Sequence, residues 1–178
     1  AEAVGPLKEV IDHAIDFPVE GVFRKLEPMV REVSSRLGKQ VEFKVDAEEV
    51  LVDRDTTYVL RDALVHVVRN TLDHGVESPE ERMESGKRAQ ATLEIRCRRT
   101  AGGYDITVKD DGRGINVEKV VEKAIAAKKV TAEDASRLTR EQKIEFIFLP
   151  SLSTKEEVSE LSGRGVGMDA VRAVMGKA

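Results

Sequence analysis

The segment YDITVKDDGRGI, from Tyr104 to Ile115, alternates apolar and polar residues as a strand does and then runs straight into Asp110-Asp111-Gly112-Arg113-Gly114. Its two glycines permit a backbone approach that a side chain would block. A carboxylate at the end of a strand can accept a hydrogen bond from an exocyclic amine such as that of adenine, whereas it would repel a phosphate. The segment therefore suits contact with a base. Asp and Gly are also common turn residues, and alone it is equally a strand-to-helix turn.

Upstream, TLEIRCR from Thr92 is a second strand pattern, and Ala101-Gly102-Gly103 between the two is a hairpin signal. VEFKV at Val41 to Val45 alternates as a third strand after Gly38, a helix stop. Apolar residues from Val22 to Leu37 recur at helical spacing around Pro28, which predicts a kinked helix or one that begins nearer Glu27. Asp55 is the expected N-cap of a long helix running to about His74 and ended by Gly75, and Ser78 to Gln90 reads as a loop or short helix. Downstream, Asn116 caps a helix through Ala127, Thr131 to Phe148 holds one or two short helices, and a last helix spans Met168 to Met175. Few strands among several helices predict an α+β fold, a two-layer sandwich whose sheet is covered on one face. Residues 1–19 read as a linker or loose helix, and 20–178 as one domain.

His66, Asn70 and His74 recur at steps of four in the long helix, which puts them on one stripe. An Asn oxygen suits a hard cation such as magnesium, which keeps several waters and takes substrate phosphates for the rest of its shell. An ordinary amphipathic helix with a solvated face has the same pattern. A second glycine cluster, Ser162-Gly163-Arg164-Gly165-Val166-Gly167-Met168, leads into the last helix, where backbone N–H groups and the helix dipole suit anionic oxygens. A flexible loop with a glycine-rich helix start is the alternative. No GxxxxGK[ST] loop occurs. Ser153-Thr154-Lys155 lies between the two glycine segments, where the lysine can reach a terminal phosphate, and Lys119 sits one turn into the helix after Ile115. Each is weak alone; their order in one chain, at separations one pocket can gather, is what points to a nucleotide.

Composition narrows the classes. The 178 residues are 40% hydrophobic and 35% charged, with only 4% aromatic and no Trp, so the core must be aliphatic. A net charge of -4 argues against bulk capture of nucleic acid. The single cysteine, Cys97, excludes an internal disulfide or a Cys-rich metal site and favours a reducing compartment. No apolar run approaches the roughly 20 residues of a membrane span, and the expected location is the cytoplasm.

The ordered set resembles the GHKL family of ATPases and kinases, and within it the CheA chemotaxis kinases. HVVRNTLDHGVE at His66 to Glu77 is similar to the family's N box, DDGRGI to its first glycine box, FIFLPSLSTK to its F-box region and SGRGVGMDAV to its second glycine box. His66 with the DHG and the following ESPEER resembles CheA-like enzymes rather than ordinary sensor kinases. The resemblance covers roughly Val22 to Met175 and implies a GHKL (Bergerat) sandwich with a mixed sheet. Ser151 and Leu152 replace the Gly-Phe usual in the F-box region, and the family's pattern continues beyond residue 178 into a further strand pair.

The resemblance implies that ATP and Mg2+ are the cofactors. Asn70 would coordinate magnesium, supported by His74 and Asp73; Asp110 would bind the adenine amine, and Gly112 and Gly114 would line the base pocket. Lys119, Ser153, Thr154 and Lys155 would lie by the phosphates, Gly163, Arg164, Gly165, Val166, Gly167 and Met168 would wrap the triphosphate, and His66 would sit by the transferred group. The activity implied is that of a protein-histidine kinase, passing the γ-phosphoryl group to a histidine on a separate phosphotransfer domain, since His13 in DHAID lacks the expected surroundings of an acceptor. Dimerisation and receptor-coupling domains would be the other partners, with neither nucleic acid nor membrane insertion. A GHKL ATPase would carry Glu where His66 stands; a regulatory domain without kinase activity is the remaining alternative.

Overall fold

The computed structural model describes residues 16–149. The chain divides at Arg113 and Gly114 into two compact units, inside the span that the sequence reads as one domain.

The first unit opens with a short strand β1 (Phe17–Pro18), helices α1 (Val19–Arg24) and α2 (Glu27–Arg36), and strand β2 (Val41–Ala47). Pro28 lies in the first turn of α2, where its missing N–H costs nothing. Of the two outcomes expected around Pro28, the structure takes the fresh start at Glu27. α2 ends at Gly38, whose φ of +64° allows the backbone to reverse. The amides of Gly38 and Lys39 donate back to the carbonyls of Ser35 and Ser34, at 3.1 and 2.9 Å, as in a Schellman stop.

Strand β3 (Leu51–Val52) pairs antiparallel with β1, and the Val19 amide donates to the Val50 carbonyl at 2.9 Å. Residues 17–19, which the sequence places in the linker, thus belong to this frame, and Val19 is 0% exposed.

Helix α3 (Arg54–Asn70) begins two residues earlier than the sequence suggests. Its N-cap is Asp53 rather than Asp55: the Asp53 carboxylate accepts from the Thr56 amide at 2.8 Å and from the Thr56 hydroxyl at 2.7 Å. Asp55 falls inside the first turn, where its charge opposes the helix dipole favourably. The α-helix ends at Asn70 and passes into a π-turn, Thr71–Gly75. Helix α4 (Pro79–Glu84) then starts with a capping box between Ser78 and Glu81, so the stretch after Gly75 holds a short helix.

Strands β4 (Ala91–Thr100) and β5 (Gly103–Asp110) form the expected hairpin, closing on the pair Thr100 and Gly103. The sheet order is β2-β4-β5, parallel between β2 and β4 and antiparallel between β4 and β5. The mixed α+β sandwich is therefore present. Leu93, Ile95 and Cys97 on one face of β4 are buried against Val22, Phe23, Leu26, Val30, Val33, Leu60, Leu64 and Val68 of α1, α2 and α3. Each such aliphatic side chain contributes on the order of 1.5–3 kcal/mol by leaving water. The opposite face carries the ion pairs Lys44–Glu42, Arg96–Glu94 and Arg98–Asp46. Cys97 fills a strand, as its apolar company requires, and burial raises its thiol pKa.

The second unit, as far as residue 149, contains α5 (Val117–Ala126), α6 (Ala132–Arg137), α7 (Arg140–Ile144) and a 3-10 turn, Glu145–Phe148. Asn116 caps α5 as expected, its side-chain oxygen accepting from the Lys119 amide at 2.9 Å. Val117, Ala124 and Ala135 are buried. No helix among the described residues is long and apolar enough to cross a membrane. The expected helix over Met168 to Met175 lies outside the described residues.

Candidate functional site

Strand alternation determines where Asp110 points. Tyr104, Ile106 and Val108 pack against the core cluster, so the next residue in step, Asp110, occupies the same face, in register opposite buried Leu93. A carboxylate stands where the pattern calls for an apolar side chain. One of its oxygens, Oδ1, accepts from the Gly112 amide at 2.9 Å. Oδ2 has no hydrogen-bond partner among the described residues, and no fully buried side-chain oxygen among them lacks a partner, so Oδ2 keeps some access to solvent. A half-buried carboxylate with one oxygen fixed and one open is an acceptor waiting for a donor.

Gly112 meets the end of the π-turn directly. A Cβ at Gly112 would lie 2.2 Å from the Gly75 carbonyl oxygen and 2.9 Å from Asp110 Oδ1. The same Gly75 carbonyl accepts from the Arg113 amide at 2.9 Å. These contacts join the strand end to the helix that carries His66 and Asn70.

On that helix, His66 and Asn70 keep the four-residue α-helical step, but His74 lies in the π-turn. There the Val76 amide donates five residues back to the Thr71 carbonyl at 2.9 Å. Lys39 caps the turn, its ammonium donating to the carbonyls of Leu72 and of Asp73, the latter at 3.1 Å. Burial lowers the Lys39 pKa, Arg113 adds to this, and Asp73 opposes it.

Asn70, Asp73 and His74 are exposed, and the Asn70 amide has no hydrogen-bond partner among the described residues. His66 is half-buried; burial lowers its pKa, Asp62 opposes this and Arg69 adds to it, which favours the neutral imidazole. No cluster of three or more His, Cys, Asp or Glu residues able to hold a metal occurs among the described residues. A single open amide oxygen does suit magnesium, which needs few protein ligands when water and phosphate oxygens complete its shell. Asp110 and Asn70 fit the two ends of a magnesium nucleotide in kind: an acceptor for an amine and an oxygen donor for a hard cation.

Behind these groups lies a cluster that the sequence reading passes over. Arg82, 1% exposed, donates to Glu77 Oε2 at 3.2 Å, Asp111 Oδ2 at 2.9 Å, the Asp111 carbonyl at 3.1 Å and the Arg88 carbonyl at 2.7 Å. Lys87 donates to Glu77 Oε1 at 2.6 Å and to the Gly112 carbonyl at 2.9 Å. Burial by itself raises the Glu77 pKa, but the Lys87 and Arg82 contacts outweigh it and hold the carboxyl below its ordinary range. At Asp111 burial likewise acts upward and is outweighed by the Thr92 amide and Arg82.

Gly114 and Lys119 belong to the second unit; Gly114 has a φ of +71°, and Lys119 is exposed in the first turn of α5. Ser153, Thr154, Lys155, Gly163, Arg164, Gly165, Val166, Gly167 and Met168 lie outside the described residues.

Residues 59–177 match the family model described as histidine kinase-, DNA gyrase B-, and HSP90-like ATPase. The chain is 42% identical over 171 residues to a gliding motility regulatory protein of Myxococcus xanthus, covering 94% of this chain and 22% of that protein. It is 36% identical over 168 residues to the chemotaxis protein CheA of Bacillus subtilis, covering 94% and 25%. The chain thus spans about a quarter or less of these curated relatives. Among solved structures, the histidine kinase domain of a blue-light activated histidine kinase from Erythrobacter litoralis matches with a TM-score of 0.40 and 19% identity, over 74% of this chain and 51% of that one.

Proposed function

Since the chain belongs to the histidine kinase-, DNA gyrase B-, and HSP90-like ATPase family, we propose that it is the ATP-binding catalytic domain of a chemotaxis-type protein-histidine kinase, phosphorylating a histidine on a separate phosphotransfer domain. The observation that carries this reading is the Asp110 carboxylate, on the core face of β5 with one oxygen fixed by the Gly112 amide and the other open.

Bound magnesium-ATP supplies the phosphoryl group and a cation that offsets its charge. Asp110 accepts from the adenine amine through its open oxygen. Gly112 lines the base pocket on the family resemblance, and its lack of a side chain lets the Gly75 carbonyl lie against it. Asn70 gives its amide oxygen to magnesium, with Asp73 and His74 alongside it. His66, whose burial favours the neutral imidazole, can accept a proton near the reacting group. The roles of Gly114, Lys119, Lys155, Ser153, Thr154 and residues 163–168 toward the base and phosphates are proposed on the family resemblance. The partners proposed are the phosphotransfer domain and the dimerisation and receptor-coupling domains of a larger kinase, in the cytoplasm.

Histidine at position 66, where a hydrolysing relative would carry Glu, favours transfer over hydrolysis. The test supplies a histidine phosphotransfer domain and labelled ATP to the chain and to His66→Gln. Transfer by the wild type, lost in the variant with binding kept, supports the kinase reading. Phosphate release without transfer would support the ATPase instead.

A further inference from the structure

Glu77, Arg82, Lys87 and Asp111 bring two cations and two anions together beneath the first glycine box. Stability alone is a poor reason for such a cluster, because well-packed apolar residues often serve a fold equally well. What distinguishes it is the backbone it grips. Arg82 and Lys87 both donate to the Asp111 carbonyl, at 3.1 and 3.2 Å, and Lys87 also donates to that of Gly112 at 2.9 Å. The Asp111 carboxylate is itself tied to Arg82 through Oδ2 and to the Thr92 amide through Oδ1, each at 2.9 Å. The Asp111 carbonyl shares its peptide unit with the Gly112 amide, the donor that fixes Asp110 Oδ1, and the Gly112 carbonyl belongs to the next unit.

We infer that Lys87 and Arg82 are positioning residues for adenine recognition: they clamp the Asp111–Gly112 backbone so that the Gly112 amide holds one Asp110 oxygen and leaves the other aimed at the exocyclic amine. The inference rests on the reading of Asp110 as the base acceptor. Glu77 keeps the two cations in place, and its own position after the π-turn links the clamp to the segment that carries Asn70. Lys87 is the more separable of the pair, since its side chain is 34% exposed whereas that of Arg82 is 1% exposed.

The test compares binding of ATP and of inosine triphosphate, which has a carbonyl in place of the amine, to the 178-residue chain. Loss of charge-assisted contacts that hold a recognition group is expected to cost about tenfold. Lys87→Met should therefore reduce the preference for ATP over inosine triphosphate about tenfold, and Lys87→Arg should restore part of it. A merely structural lysine would lower the melting temperature and leave the preference unchanged in the folded protein; an unchanged preference overturns the inference. Asp111→Asn, which keeps the shape and removes the charge opposite Arg82, gives the same readout where Lys87→Met does not fold. A wild-type preference that depends on Asp110 but on neither variant removes only the clamp. Absence of any preference in the wild type, with Asp110→Asn binding equally, removes the reading of Asp110 beneath it.

Discussion

Gly112 lies so close to Gly75 that a Cβ added to it would stand 2.2 Å from the Gly75 carbonyl oxygen. The obstruction is backbone, which cannot rotate away as a side chain can. Gly112→Ala should destabilise the chain by about 1–3 kcal/mol, the range for overpacking, and weaken nucleotide binding. The contrast is Gly75→Ala, whose Cβ would meet its nearest neighbours at an ordinary 3.7 Å. Denaturant midpoints should separate the two; equal losses would mean that the close approach of these segments is not maintained in solution.

Asp53, not Asp55, holds the start of the helix that carries His66 and Asn70. Asp53→Ala should cost about 1 kcal/mol through the lost cap, whereas Asp55→Ala should cost only the smaller dipole contribution. Urea unfolding of the two variants decides it: a larger loss for Asp55→Ala would move the cap.

Stability should fall with acid in two separate windows. His66 has a folded pKa depressed by burial, so its contribution is complete above the ordinary histidine value of about 6.5 and is lost as pH falls below it. Glu77 and Asp111 are also depressed, so theirs is complete above about 4 and is lost as pH falls through their folded values. Melting temperature against pH should show both declines, with His66→Gln flattening the upper and Glu77→Gln the lower. Unchanged profiles in the variants would contradict the assigned burial and pairing.

Much of this was legible in the sequence because local chemistry and tertiary structure agree. The alternation through Tyr104, Ile106 and Val108 located β5 and put Asp110 at its end, and Pro28 marked a helix start whose two outcomes were both foreseen. Less legible were features fixed by distant partners. The long helix passes into a π-turn after Asn70, where Lys39, more than thirty residues earlier in the chain, donates to the Leu72 and Asp73 carbonyls, a pairing that nothing local announces. Asp53 and Asp55 both qualify as caps by residue type; only the hydrogen bonds to Thr56 separate them. The Arg82 cluster was hidden for the same reason, since a charged run such as ESPEER usually faces water and here its arginine turns inward to Asp111.

The measurement that reaches the central claim most directly is binding of labelled ATP with and without magnesium to the wild type, Asp110→Ala and Asn70→Ala. The account predicts that Asp110→Ala loses affinity in both conditions, because it removes the base acceptor. Asn70→Ala should lose mainly the part that magnesium adds. Binding by both variants equal to the wild type, with magnesium and without it, would contradict the account.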